Sequence, residues 1–479
     1  MAEVLEKKEG AGEKSGFHIK MPHIFVLLFG LIVVAAIMTW IVPAGQFDRA
    51  PIEGTMVEGV VAGTYHTVEQ NPQGIIEVFS SIMQGLCASA NICFMILISG
   101  GCFAIINGTG AIENGLGVFL SKVNKAKIPS SAVLWIVTFL FSAFGIMVGP
   151  EIQIPFTVIS VAIALGLGYD LIVGLGMIVG GGFVGFATPA ICPSTVGNAQ
   201  IIAGLPYFSG AELRWVFWLV CTVLTCIILN IYANRVKKNP DRSYVKGIDT
   251  TGLGFSQELD TYKLSKQQIG VLLVFLCLFI AFVVGPTELG WYIDQISAAL
   301  IIAALISAII CGFGVNNTID IFLKGASGMV MPAFTVGLGR AIQIILENGM
   351  VLDTIVNTLS SPLISMGTYG AGVVMIFLCT ILNFLIPSGS GMAAAITPIL
   401  FPIGDMAGLT RQAVVFAFQV GAGFGDMAIP TLGALMAMCG LAHVPFEKWF
   451  KFAWKLVLIL TLVGVGFMLY AVYINYGPF

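Results

Sequence analysis

Charge is scarce in this sequence. Its 22 Lys and Arg and 25 Asp and Glu make up 10% of 479 residues, whereas about 25% is usual for a soluble globular chain. So few ionisable groups cannot clothe the surface of a soluble domain of this length, which excludes one. The net charge of -3 and the lack of any basic domain leave nothing to bind nucleic acid. Histidine is scarcer still: His18, His23, His66 and His443 are the only four, and their terminal or loop settings offer neither a histidine-activated nucleophile nor a metal cluster. The ten cysteines lie mostly inside apolar runs, as Cys87, Cys93, Cys102, Cys221 and Cys226 do. Without metal-ligand spacing they read as small packing residues. No Walker motif is present either. The expectation is a chain that is not an enzyme, holds no cofactor and carries no ATPase of its own.

Apolar residues are what the chain has in abundance: 57% of the total, with a mean hydropathy of +0.96. Ile24–Val42, Val216–Tyr232, Ile269–Val284, Ala298–Cys311 and Lys455–Tyr473 approach or reach the roughly 20 residues that cross a bilayer's hydrocarbon. Nothing after the first run resembles a cleavage site ahead of a soluble domain, so it reads as a span. The predicted fold class is an all-α polytopic membrane protein, with the lipid bilayer as its surroundings.

Positive charge marks the cytoplasmic side of such a protein. Lys7, Lys8, Lys14 and Lys20 place the tail, residues 1–20, in the cytoplasm. Lys122, Lys125 and Lys127 mark a turn there, and Lys448, Lys451 and Lys455 another. Arg235, Lys237, Lys238, Arg242, Lys246, Lys263 and Lys266 mark a cytoplasmic linker, 234–266. With Lys324 these are 18 of the 22 Lys and Arg residues. Residues 43–80 instead carry Asp48, Glu53, Glu58, Glu69 and Glu77 against Arg49 alone, which makes 43–85 an external loop. Joining these points, 24–42 runs outward, 88–120 inward, 171–203 outward and 213–232 inward. After the linker, 269–285 runs outward, 295–312 inward, 325–347 outward, 412–442 inward and 455–473 outward. The additional span at 267–286 has no counterpart and inverts everything behind it. Residues 21–233 and 287–479 are therefore expected to be inverted repeats.

One pattern occurs twice, 241 residues apart: Val179-Gly180-Gly181-Gly182-Phe183-Val184-Gly185-Phe186-Ala187-Thr188-Pro189 and Val420-Gly421-Ala422-Gly423-Phe424-Gly425-Asp426-Met427-Ala428-Ile429-Pro430. Broken helices at matching points of two halves mark a transporter's binding site. Glu113-Asn114-Gly115 likewise recurs as Glu347-Asn348-Gly349. Ahead of each broken helix lies an interrupted apolar segment. Residues 131–167 are interrupted by Gly149-Pro150-Glu151-Ile152-Gln153-Ile154-Pro155, and residues 372–404 by Pro387-Ser388-Gly389-Ser390-Gly391. Proline removes a backbone donor and glycine adds freedom, so both centres are expected to be non-helical. Irregular backbone at membrane depth survives only beside protein or water. Both segments read as re-entrant hairpins; a pair of full spans joined at the surface is the other arrangement the charges allow.

The stretch Asn383 through Ala393, the stretch Gln419 through Thr431 and the ending Val444-Pro445-Phe446-Glu447-Lys448-Trp449 carry a resemblance that extends over nearly the whole chain. The sequence resembles the anaerobic C4-dicarboxylate carrier family, in its basic-amino-acid antiporter-like branch of the ion transporter superfamily. That resemblance implies a homodimer in the bacterial inner membrane. Each protomer would hold a scaffold domain and an elevator-type transport domain containing both hairpins and both broken helices.

The expected substrate site takes Gly149, Pro150, Glu151 and Gln153 with Thr188, Pro189, Ser194, Thr195 and Asn198 from the first half. The second half supplies Asn383, Ser388, Gly389, Ser390 and Gly391 with Gln419, Asp426, Pro430 and Thr431. Half-helix N-termini favour carboxylates, and C-terminal carbonyl ends favour cations. Small and hydroxyl residues also suit plain helix packing. Glu151 and Asp426 say more, because an acid at the bilayer centre costs about 2.5–3.5 kcal/mol. Neither interruption contains Lys or Arg, whereas a dicarboxylate site would expose cations. The two acids are therefore expected to face a cationic amino acid such as arginine, ornithine or lysine, its α-carboxylate at the helix N-termini. Two other roles are open to either acid: holding Na⁺ or H⁺ as a coupling ion, or pairing with Arg340. The alternative cargo is a C4-dicarboxylate, another organic acid or a neutral amino acid moved with Na⁺ or H⁺. Asp170 and Asp405, near membrane edges, read as capping or surface acids.

Overall fold

An apolar run in lipid folds as a helix because a helix satisfies its own backbone polar groups where water is absent. The computed structural model describes residues 24–51, 58–61, 63–206, 208–250, 253–254 and 258–477; the tail 1–20 lies outside them. The first half contains α1 (Ile24–Ile41), α2 (Ile75–Ala88), α3 (Ala90–Gly108), α4 (Ala111–Lys125), α5 (Ser130–Met147), α6 (Pro150–Gln153) and α7 (Thr157–Gly166). The interrupted helix α8 (Leu171–Leu175), α9 (Val184–Ala187) and α10 (Asn198–Ile202) follows, then α11 (Ala211–Lys238). Beyond the linker come α12 (Lys266–Glu288), α13 (Ile293–Ile310), α14 (Val315–Ser327), α15 (Val330–Asn348), α16 (Leu352–Ser360), α17 (Gly367–Leu385) and α18 (Gly389–Met406). The chain closes with α19 (Arg411–Gly425), α20 (Gly433–Leu441) and α21 (Phe446–Tyr473). Among the described residues, seven helices are long and apolar enough to cross a membrane. Side chains such as Phe94, Leu140, Ile309 and Leu462 stay exposed, as lipid-facing groups do.

Three features depart from the sequence reading. Residues 75–85, expected in the external loop, belong to α2. Its Ile75, Ile76, Phe79 and Met83 are exposed, while Gly85 brings its backbone against α15, where a Cβ would run into the Gly337 carbonyl. The pass 88–120 is two helices, because Gly110 turns the chain at φ 68°, a conformation glycine takes without strain. Of the hairpin arms, α5, α17 and α18 have 18, 19 and 18 residues; α7 is the short one, with 10.

Between α1 and α2 the described residues make two small antiparallel ribbons, β1 (Gly45–Gln46) with β4 (His66–Thr67) and β2 (Arg49–Pro51) with β3 (Glu58–Val60). They dock where α15 ends. Asp353 accepts the Phe47 N–H at 3.1 Å and pairs with Arg49 at 3.4 Å, and the Asn71 amide donates to the Asn348 carbonyl at 3.0 Å. The linker and the start of α12 dock where α3 ends: Gln268 of α12 donates to the Thr109 carbonyl at 3.4 Å, and Tyr262 of the linker donates to Glu113 at 2.5 Å. Hence α3 and α15 finish at different faces, a linker face and a loop face. Ser243 donates to Asp170 at 2.6 Å, and Asp170 caps α8 by accepting the Val173 N–H at 3.0 Å, the expected role. Asp405 forms an exposed ion pair with Arg411 at 3.2 Å, also as expected.

Packing is reciprocal. The helices α1 and α2 lie along α15, whereas α13 and α14 lie along α3. Arm α5 rides on the 176–187 segment, and arm α17 rides on α19. The two interrupted helices form the centre, with residues 171–190 and 412–427 all buried.

Candidate substrate site

Glycine lets the hairpin arms touch the interrupted helices backbone to backbone. A Cβ at Gly185 would strike the Ser142 carbonyl of arm α5 and one at Gly421 the Ile376 carbonyl of arm α17; one at Gly423 would strike the Ala187 backbone, where the two interrupted helices meet. The first copy of the repeated pattern winds as a π-helix over Gly176–Phe183, a geometry frequent at functional sites. Helical winding stops at 188–192 in this copy and at 426–432 in the other. Pro189 and Pro430 are buried within these breaks.

Both hairpin tips and the second break meet at a cavity of about 280 Å³. Glu151, Pro387, Ser388 and Thr431 line it from the tips and the break; Ser89, Asn91, Tyr292 and Arg340 line it from the start of α3, the loop before α13 and α15. Pro150 opens α6, where its missing N–H goes unneeded. The Glu151 carboxylate folds over Gly149, with Oε2 2.7 Å from where a Cβ would stand. Ser388 caps α18 by accepting the Gly391 N–H at 3.2 Å. Gly389 brings this tip against the first break, where a Cβ would lie 2.9 Å from the Thr195 methyl and 3.1 Å from the Phe186 ring.

Asn383 donates to Asp426 Oδ1 and to the Ala422 carbonyl, both at 2.9 Å. Asp426 is 3% exposed and is not among the residues lining the cavity. Gln419 ties the two interrupted helices together by donating to the Phe186 carbonyl at 2.7 Å. Gln153 is fully buried against Gly182. Its amide, the Thr195 hydroxyl and Gln419 Oε1 have no hydrogen-bond partner among the described residues. Thr188 donates to Val184 and Thr431 to Phe384, at 2.7 and 3.4 Å. Asn198 is half-buried in α10, apart from the cavity lining. The side chains of Ser194 and Ser390 lie outside the described residues.

Sequence reasoning brought Arg340 to the acids only as an ion-pair partner and left it out of the expected substrate site. The arginine shares the cavity with Glu151, yet among the described residues it forms no ion pair with Glu151 or Asp426. Its guanidinium donates to Gln343, whose amide donates to Glu347 at 2.6 Å. The cation that neither interruption contains is thus supplied by α15. Its signal was a lone arginine inside an apolar span; Ser89 and Asn91 had a weaker one, as polar positions opening an apolar run. Tyr292 had none.

Residues 21–473 match the family model described as DcuC, C4-dicarboxylate anaerobic carrier. The chain belongs to the DcuC family. This DcuC chain is 30% identical over 490 residues to the Escherichia coli (strain K12) protein named "Putative basic amino acid antiporter YfcC", covering 94% of this chain and 95% of that one. It is 26% identical over 490 residues to a Haemophilus influenzae protein named "Uncharacterized protein", covering 92% and 95%. Among solved structures, the Alcanivorax borkumensis YdaH transporter is similar at a TM-score of 0.46 and 14% identity, covering 95% of this chain and 100% of that one. Neisseria gonorrhoeae MtrF is similar at 0.44 and 14%, covering 95% and 96%. Family membership and the apolar spans make this DcuC protein a multi-pass secondary transporter of small molecules.

Proposed function

We propose that this chain exchanges basic amino acids, such as arginine and ornithine, across a bacterial inner membrane. The observation that carries the reading is the charge set around the cavity: Glu151 and Arg340 line it, and Asp426 is buried in the second break, hydrogen-bonded to Asn383 of the second hairpin. Two acids and one guanidinium complement a solute with two cationic groups and one carboxylate. The unpartnered polar atoms of Gln153, Thr195 and Gln419 support a polar ligand at the tips and breaks, since leaving such atoms buried and unpaired costs about 1–3 kcal/mol each. The name of the Escherichia coli relative points the same way.

The mechanism we infer is alternating access by two inverted halves. Their elements succeed one another in matching order: α1–α4 with α13–α16, α5–α7 with α17–α18, α8–α10 with α19–α20, and α11 with α21. The helix α12 is the unmatched one, at the position the sequence assigns to an additional span. The base of the first hairpin lies at the linker face, where Lys237 reaches Ser130 and the Leu167 carbonyl at 3.0 and 2.9 Å. The base of the second lies near the loop, whose β3 rests on α18. In this reading the hairpins are re-entrant and each covers the shared site from its own face. The scaffold is α1–α4 with α12–α16, the moving part is α5–α11 with α17–α21, and two protomers join as a dimer. Arginine entry against ornithine exit balances charge, so exchange runs without Na⁺ or H⁺.

Arg340 and the family's description favour a second reading, carriage of a C4-dicarboxylate with a coupling cation. Counterflow in proteoliposomes separates the two. Saturable arginine–ornithine counterflow that is indifferent to Na⁺ and to a pH gradient, and that falls at least about tenfold in Glu151→Gln or Asp426→Asn, supports basic amino acid exchange. Unchanged affinity and rate in both variants would sink it, and cation-dependent dicarboxylate counterflow would establish the second reading.

A further inference from the structure

The residues lining the cavity belong to two helix groups. Glu151, Ser388 and Thr431 stand on the hairpin tips and the second break, whereas Asn91 stands on α3, Tyr292 on the loop before α13 and Arg340 on α15. The seam between the groups is tight beside the arginine. A Cβ on Gly339 would lie 2.6 Å from the Thr431 carbonyl, so α15 touches the break one residue before Arg340.

Arg340 is held in place from one side only. Gln343, 5% exposed, accepts from it and hands the chain of hydrogen bonds on to Glu347. These three side chains share one face of α15 by their spacing. The rest of the guanidinium fork has no carboxylate within ion-pair distance among the described residues, and it borders a cavity large enough for an amino acid. A planar fork matches a carboxylate in a bidentate fashion. Arg340 stands just past the middle of α15, about 12 Å at the helical rise from its loop-face end at Asn348, where Asn71 meets it, and about 15 Å from its start at Val330.

We propose that Arg340 is a carboxylate-binding residue fixed to the scaffold, which engages the substrate only while the site stands at the loop face. This inference rests on the moving-site reading above. Substrate then meets Glu151 in both states but Arg340 in one, so the two faces of the carrier bind it unequally.

The test is the KM for arginine counterflow measured separately from each face, in proteoliposomes of defined orientation. Arg340→Ala is expected to raise KM about ten- to hundredfold from the loop face, the range for losing hydrogen bonds to a charged group, and less than about twofold from the linker face. Arg340→Lys is expected to fall between. Arg340→Gln, which keeps a donor near Gln343, repeats the measurement if the alanine variant does not reach the membrane. The decarboxylated amine of arginine provides the matching probe: in the wild type it competes poorly from the loop face, and Arg340→Ala leaves its competition unchanged. Equal KM changes at both faces, or none at the loop face, would overturn this inference while leaving amino acid exchange intact. Absence of amino acid counterflow in the wild type would overturn the exchange reading and this inference with it.

Discussion

Two adjacent glycines of the repeated pattern are expected to respond oppositely to one added methyl group. At Gly180 a Cβ would stand 3.2 Å from Thr225 Cγ2 and 3.6 Å from Leu456 Cδ2. Both are side-chain ends that a shift of a few tenths of an ångström accommodates. The substitution Gly180→Ala also recovers about 0.5–1 kcal/mol of backbone entropy. At Gly181 the same methyl would stand 2.6 Å from the Thr138 carbonyl oxygen and 3.3 Å from Phe141 Cβ. That carbonyl belongs to α5, which would have to lift off the interrupted helix, at about 1–3 kcal/mol for overpacking. Both variants gain that entropy alike, so they should differ by the overpacking alone, about 1–3 kcal/mol. The entropy of unfolding scales with length, and for a chain of this size the difference is roughly 1–3 °C in Tm. Thermal unfolding in one detergent at one scan rate is the assay, since the transition of such a protein is expected to be irreversible. If Gly181→Ala melts at or above Gly180→Ala, then α5 does not ride on this helix as described.

Asn383→Ala removes the donor to Asp426 and to the Ala422 carbonyl, which should cost about 2–4 kcal/mol. Adding Asp426→Ala should recover part of that loss, and a strictly additive double variant would refute the coupling. The Ser121 hydroxyl and then the Lys125 ammonium hold the Asp260 carboxyl below its usual range. A depressed folded-state value stabilises above the unfolded pKa of about 4 and is lost as pH falls through the folded one. Hydrogen exchange across 258–266, corrected for intrinsic rates, should thus stay flat down to about pH 5 and rise only below about pH 4. Tyr476→Phe removes a hydroxyl that donates to the Gly210 carbonyl and accepts from buried Arg214 at 3.2 Å. It should lower stability by about 1–3 kcal/mol, and an unchanged melting curve would contradict that network.

The spans were legible because apolar length is a local property of the chain, and the breaks because Gly and Pro act within a few residues. Asp170 was legible as a cap for the same reason. The helix α2 was not: its amphipathic 14 residues are too short to read as a span and gain their partner only at Gly337. Gln153 marked the right place, but its side chain turns to Gly182, which no spacing announces. The place of Arg340 depends on three segments, near 90, 150 and 388, being brought to one cavity. Sequence displayed the lone cation; only tertiary packing says what shares the cavity with it.

The reciprocal packing has a consequence for biogenesis. Once α3 has left the ribosome, 240 more residues must follow before Asn348 completes α15, about 12–48 s at ordinary synthesis rates. Throughout that interval the close-packing glycines lack their partners: Gly85 awaits Gly337, Gly100 awaits Met329, and Gly101 awaits Phe322. The first half is therefore a waiting assembly, shielded by lipid or by the insertion machinery until its other half arrives. A chain cut within the linker should yield two fragments that are degraded when made alone and that survive when made together.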